Sequence, residues 1–295
     1  MKQYLNDIIR RLEFPVEACD ELTLAFDKLA SNEACYTKIL SFIEEYDSHK
    51  DIDYLAMLST AEEVARSIGI HEYTVKLICF LCLTKRLEGY YEEAGIDKSI
   101  FLSSILDLKY KLIECKLVKG VWGSFVARWF RGFFLLERFA LGRLQFELIR
   151  FGRDYKINGV ELTPESRVIN VHIPRSGERL SPEATANAYA MAAEFYAERL
   201  CGAPTVFVCD SWLLFPKNKE IMKEGSNLLL FISDYELYDS GYYEDYHEVW
   251  RLFDKDYDGD TSRLPCDSSL RKEYIRLIEN GEKIGYGKGA YLYKA

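Results

Sequence analysis

The chain has 295 residues, room for two domains, and its 48% hydrophobic and 29% charged residues exclude a disordered protein. With 47 acidic against 38 basic residues the net charge is −9, so the chain lacks the basic face that general nucleic-acid binding requires. Eight cysteines without a framework spacing, and no signal-peptide pattern after Met1, point to the reducing cytoplasm. The longest apolar run, around Leu77 to Leu83, is too short to cross a bilayer, so no membrane role is expected.

Residues 1 to about 120 carry helical periodicity almost throughout. Tyr4, Ile8, Ile9 and Leu12 form a first stripe, and Pro15 suits the first turn of a second helix. Further stripes run through Leu40 and Ile43, Leu55 and Leu58, and Val75, Ile78 and Leu81. Gly69, Gly95 and Gly120 each stand where a helix would stop. Five or six helices are predicted here. Cys79 and Cys82 form a CxxC inside an apolar helix without a second pair, a pattern that packing explains better than zinc or redox chemistry.

After Gly120 aromatic and β-branched runs alternate with Gly, Pro and Asp. Strands are predicted at 136–142, 144–151, 167–174, 205–212, 228–236, 249–254 and 289–293, with helices at 181–200, 216–224 and 268–280. The fold class is α+β: an all-helical domain over 1–122, then a mixed α/β domain over 123–295. The segment VWGSFVARWFRGFF, from Val121 to Phe134, suits the end of the first domain as well as the start of the second.

The stretch from Arg167 to Phe215 reads strand, loop, long helix, strand, which makes the two strands parallel. In such a unit the strand ends and the helix N-terminus converge on one crevice, here holding His172, Arg175, Ser176, Gly177, Cys209, Asp210 and Ser211. The plain alternative is a crossover whose polar loops face water.

Five strings together carry a family resemblance: LGRLQFEL (Leu141 to Leu148), VHIPRSGERLSPEA (Val171 to Ala184), CDSWLLFP (Cys209 to Pro216), EGSNLLLF (Glu224 to Phe231) and RLPCDSSLRKEYIRLIENG (Arg263 to Gly281). With the order of elements, they resemble a bacterial acyltransferase family that joins a helical N-terminal domain to a GNAT-like C-terminal domain. The resemblance implies acyl-CoA or acetyl-CoA as donor, an amine as acceptor, direct attack, and no metal. It departs at Asp210, where the family carries His, and in a loop with one glycine instead of several.

On that reading the loop Pro174 to Leu180 holds the donor's pyrophosphate. Gly177 allows close approach, Arg175 and Arg179 supply charge, and Ser176 adds a hydroxyl. Glu183, in the first turn of the following helix, would compete with a phosphate there. His172 is the leading proton acceptor, with Asp210 or Ser211 orienting it or the acceptor. A structural role for His172, bonding loop carbonyls, is the alternative. Cys209 at a similar height suggests a thiol–imidazole dyad, against which stands the usual role of buried cysteine as filler. The rival function is a non-catalytic ligand- or protein-binding protein with the same fold.

Three further features are singled out. Six arginines between Arg128 and Arg153 face two acids, a local excess suited either to a ligand's phosphates or to ion pairs with acidic helices. Residues 234–248 hold six acids, five tyrosines and no Lys or Arg, suited to a cationic amine or to a solvated hairpin. The run Asp254 to Pro265 imitates a calcium loop but ends in Pro where a bidentate Glu is needed.

Overall fold

Helix starts and stops in residues 1–120 follow the local chemistry. The computed structural model describes residues 1–294 and divides into two compact units, Met1–Phe139 and Ala140–Ala295. The 121–134 segment therefore closes the first unit, beyond the expected limit at residue 122.

The first unit holds seven helices before Gly120, more than the five or six predicted: α1 (Lys2–Arg11), α2 (Val16–Ser31), α3 (Glu33–Ser48), α4 (Tyr54–Ile68), α5 (Glu72–Glu93), α6 (Lys98–Ile105) and α7 (Asp107–Lys119). A 3-10 turn, Ala127–Phe130, and the short α8 (Arg131–Phe134) follow. The side chains of Asn32, Asp53 and Asp97 accept hydrogen bonds from the first free N–H groups of α3, α4 and α6. Gly69 and Gly120 end α4 and α7 in the left-handed conformation. The centre is α5, where every residue from Leu77 to Thr84 is buried. A helix apolar all round belongs in an interior, and Cys79 and Cys82 are part of that packing.

The second unit is built on a six-stranded mixed sheet of order β1-β2-β5-β6-β8-β7. Its strands are β1 (Arg138–Leu141), β2 (Leu144–Arg150), β5 (Arg167–His172), β6 (Val206–Ser211), β7 (Glu236–Tyr242) and β8 (Gly285–Leu292). A separate hairpin comprises β3 (Tyr155–Ile157) and β4 (Val160–Leu162). The long helix α9 (Pro182–Leu200) connects β5 to β6, and these two strands are parallel. The remaining helices are α10 (Asn218–Ile221), α11 (Asn227–Ser233), α12 (Trp250–Phe253) and α13 (Ser269–Glu279).

Strand alternation gives the sheet two different faces. On one, Tyr189 of α9 lies with its ring 4.8 Å from Phe207, and Tyr196 donates its hydroxyl to the Phe146 carbonyl at 3.0 Å. On the other, Val168, Val206, Val208 and Ala290 pack against Ile157 and Leu162 of the hairpin.

Two predicted strands are corrected. The run over 228–236 is α11, because Ser226 accepts from the Leu229 N–H and starts a helix; the strand follows as β7. The run over 249–254 is the end of a 3-10 turn (His247–Val249) and α12, closed by Asp254 at φ +58°. By contrast β8 begins at Gly285, earlier than the predicted 289. A Cβ on Gly287 would stand 2.1 Å from the Leu214 carbonyl oxygen, so this glycine lets the turn after β6 lie on the strand.

Candidate active site

The parallel strands separate where the site is expected. β5 and β6 share only two register pairs, Ile169↔Phe207 and Asn170↔Val208. Past them β5 stays paired to β2 as far as His172, and β6 to β8 as far as Ser211. Each strand end thus follows its outer neighbour, and beyond Asn170 and Val208 no register pair closes the slot between His172 and Asp210.

The loop beyond β5 borders this slot. Arg143, in the β1–β2 turn, donates to the carbonyls of Pro174 and Glu178, each at 3.0 Å. These two bonds hold the loop at both ends. Gly177 has φ +83°, and the Ser176 hydroxyl accepts from the Glu178 N–H. The backbone N–H groups of Gly177, Arg179 and Leu180 find no acceptor among the described residues. Open donors close together on one short loop are the groups from which an anion-binding concavity is built. At α9 itself Ser181 accepts from the Ala184 N–H, and Pro182 fills the first helical position. Glu183 bonds its own backbone N–H and Ser181, which hold its carboxyl below the usual range. A carboxylate thus occupies the helix end, leaving the loop amides as the open donors.

The predicted residues meet different fates. His172 is three-quarters buried, with Nε2 3.3 Å from Glu147 Oε2 and 3.2 Å from Asn170 Nδ2. Asp210, on the same face, is half exposed and paired with Lys288 at 3.0 Å. That bond raises the Lys288 pKa, the gain outweighing partial burial. Arg175 is bound to Asp254, which also takes Arg271 at 2.7 Å, so its guanidinium is engaged within the protein. Arg179 is exposed and makes no ion pair among the described residues.

Cys209 and Ser211 leave the expected set. Alternation puts both on the α9 face with Phe207, opposite His172 and Asp210. Cys209 is fully buried, and burial pushes its thiol far above the ordinary range, so no dyad forms. Ser211 Oγ accepts from the Leu213 N–H and caps a 3-10 turn.

The three composition features resolve into structural contacts. Arg131 pairs with Glu137, Arg153 with Asp239, and Arg138 stacks 3.6 Å over Trp129. Of the tyrosines in 234–248, Tyr235 is buried against the Tyr189 hydroxyl and Tyr238 packs at the hairpin. Asp258 and Asp260 bind Arg263, so the calcium-like run is closed by its own arginine. A depression of about 300 Å³ near Asp234, Glu236 and Tyr291 lies at the far end of β6 from His172.

The sequence did not point to Glu147 as a site residue, and it marked Arg143 only as one of six clustered arginines. Both strands were legible, but nothing in a sequence reports that Glu147 stands opposite Asn170 and Gln145 opposite His172.

Comparison with known proteins agrees with this architecture. Four solved chains match this one, among them an acyltransferase mutant in complex with octanoyl-CoA and an acyltransferase in complex with decanoyl-CoA and teicoplanin. Both are 20% identical over 98% of this chain and 87% of that chain, with TM-scores of 0.78 and 0.76. No protein of curated function matches the chain. An N-acyltransferase N-terminal domain matches residues 3–136, and a GNAT-like C-terminal domain matches residues 138–291. With more than half its length in that second match, this chain belongs to the family defined by the GNAT-like C-terminal domain.

Proposed function

We propose that the protein is an acyl-CoA-dependent N-acyltransferase. The observation that carries this reading is the β5–β6 ladder, which ends at Asn170 and Val208 beside a loop with three open N–H donors. A pyrophosphate on the amides of Gly177, Arg179 and Leu180 would set the thioester toward the slot, with Arg179 adding charge. Arg175 positions the loop through Asp254 in place of its expected contact with phosphate.

In the slot the amine nitrogen attacks the thioester carbonyl and passes a proton to His172. The C–N bond forms, the C–S bond breaks, and the leaving thiolate of coenzyme A takes a proton. Asp210 faces the same slot, paired with Lys288. Solved relatives binding octanoyl-CoA and decanoyl-CoA support a medium-chain acyl donor, and one that also binds teicoplanin supports an amine on a larger molecule. Eight free cysteines, with Cys201 and Cys266 exposed, support a cytoplasmic location.

A ligand selective for the folded state at a hundred times its Kd adds about 2.7 kcal/mol of stability. A thermal-shift titration with acetyl-CoA, octanoyl-CoA and decanoyl-CoA therefore raises Tm by several degrees for at least one donor. No shift with any of them contradicts the reading. The rival, a binding protein without catalysis, is favoured by the engagement of both Arg175 and Asp210 in internal ion pairs. A Tm rise without amine-dependent release of coenzyme A would select it.

A further inference from the structure

Glu147 has no role in the reaction as described, yet it touches the proposed proton acceptor. It projects from β2 on the same face as His172, being paired in register with Asn170. The side chains of Glu147 and His172 are 23% and 21% exposed, so water screens their interaction only in part. Two groups compete for His172 Nε2. The Glu147 carboxylate, at 3.3 Å, can only accept, and so calls for a proton on Nε2. The Asn170 amide nitrogen, at 3.2 Å, can only donate, and so calls for a lone pair there. An Asn170 amide turned to present its oxygen would side with Glu147.

We propose that Glu147 is a positioning residue: its carboxylate accepts the Nε2 proton of His172, so that the neutral ring keeps its lone pair on Nδ1 for the amine proton. The proposal rests on the acyltransferase reading. When Nδ1 takes that proton the ring becomes a cation beside Glu147, and the carboxylate stabilises the charge without itself becoming protonated. Asp210 of β6 is bound to Lys288 of β8, and Arg175 of the loop is bound to Asp254. Glu147 is in direct contact with the imidazole, at 3.3 Å.

The test needs no acceptor. The full chain has four histidines, so 15N-histidine labelling with long-range proton–nitrogen spectra resolves each ring, and His172→Gln assigns the signal. The expected result is an Nε2–H tautomer in the wild type. Glu147→Gln should lower the protonation midpoint by about one pH unit and move population toward Nδ1–H, because Asn170 then competes on better terms. Glu147→Asp should restore much of the midpoint, which a purely structural role would not do. An Nδ1–H wild type, or an unchanged midpoint in Glu147→Gln, overturns the proposal.

Failure of the broader reading looks different. Coenzyme A release from decanoyl-CoA, with benzylamine as probe amine, should fall at least about 100-fold in His172→Gln. A wild-type rate in that variant overturns the proton-acceptor role, whatever the spectra show.

Discussion

Gly177 and Cys209 illustrate how differently two residues of one predicted crevice behave. At Gly177 nothing lies within 4 Å of where a Cβ would be, but φ is +83°, so an added methyl strains the backbone without crowding a neighbour. Gly177→Ala should cost about 1 kcal/mol in chemical denaturation. It should also weaken decanoyl-CoA binding about tenfold in calorimetry, because the loop amides must turn. Unchanged affinity would remove Gly177 from the donor site. Arg179→Ala, which removes charge and no fixed contact, should instead weaken binding a few-fold and flatten its salt dependence. At Cys209 the residue type and height were legible in the sequence, but not the facing side. Cys209→Ala should lose about 1 kcal/mol of stability and keep its transfer rate within a factor of two. Rapid inactivation by iodoacetamide traced to Cys209 would contradict that assignment.

Among the elements, the loop after β5 depends on a partner outside its own sequence. Arg143 spans the Pro174 and Glu178 carbonyls with one planar guanidinium, a geometry that a lysine ammonium cannot copy. Arg143→Lys should therefore raise KM for the acyl donor about as much as Arg143→Ala, near tenfold. Steady-state kinetics at saturating acceptor read this directly, and a wild-type KM for the lysine variant would show that the loop needs no clamp. The long elements were legible: α9 announces itself by Ser181, Pro182 and an alanine-rich stripe, and β5 and β6 by apolar runs of strand length. β7 was not, because an edge strand with little burial shows no in–out alternation. The run Asn227–Ser233 was misread because a short apolar stretch suits a helix or a buried strand equally, and the Ser226 cap decides between them.

For the molecule as a whole, the sequence located the parallel pair and the loop beside it, which is most of what defines the site. It could not give register, and register is what brings Glu147 to His172 and separates His172 from Cys209. Nor could it show that Arg175 is bound to a carboxylate nearly eighty residues away in the chain. Composition anomalies were poor guides for the same reason, since Arg153 pairs with Asp239, Arg138 stacks on Trp129 and Tyr235 bonds Tyr189, contacts visible only in three dimensions.

The account stands on a donor pyrophosphate held by loop amides next to diverging strands. A crystal structure of the full chain grown with decanoyl-CoA measures this most directly. The predicted result is pyrophosphate oxygens within about 3.2 Å of the Gly177, Arg179 and Leu180 nitrogens, with the thioester between His172 and Asp210. Decanoyl-CoA bound elsewhere, with the 174–181 loop free of phosphate, would contradict it.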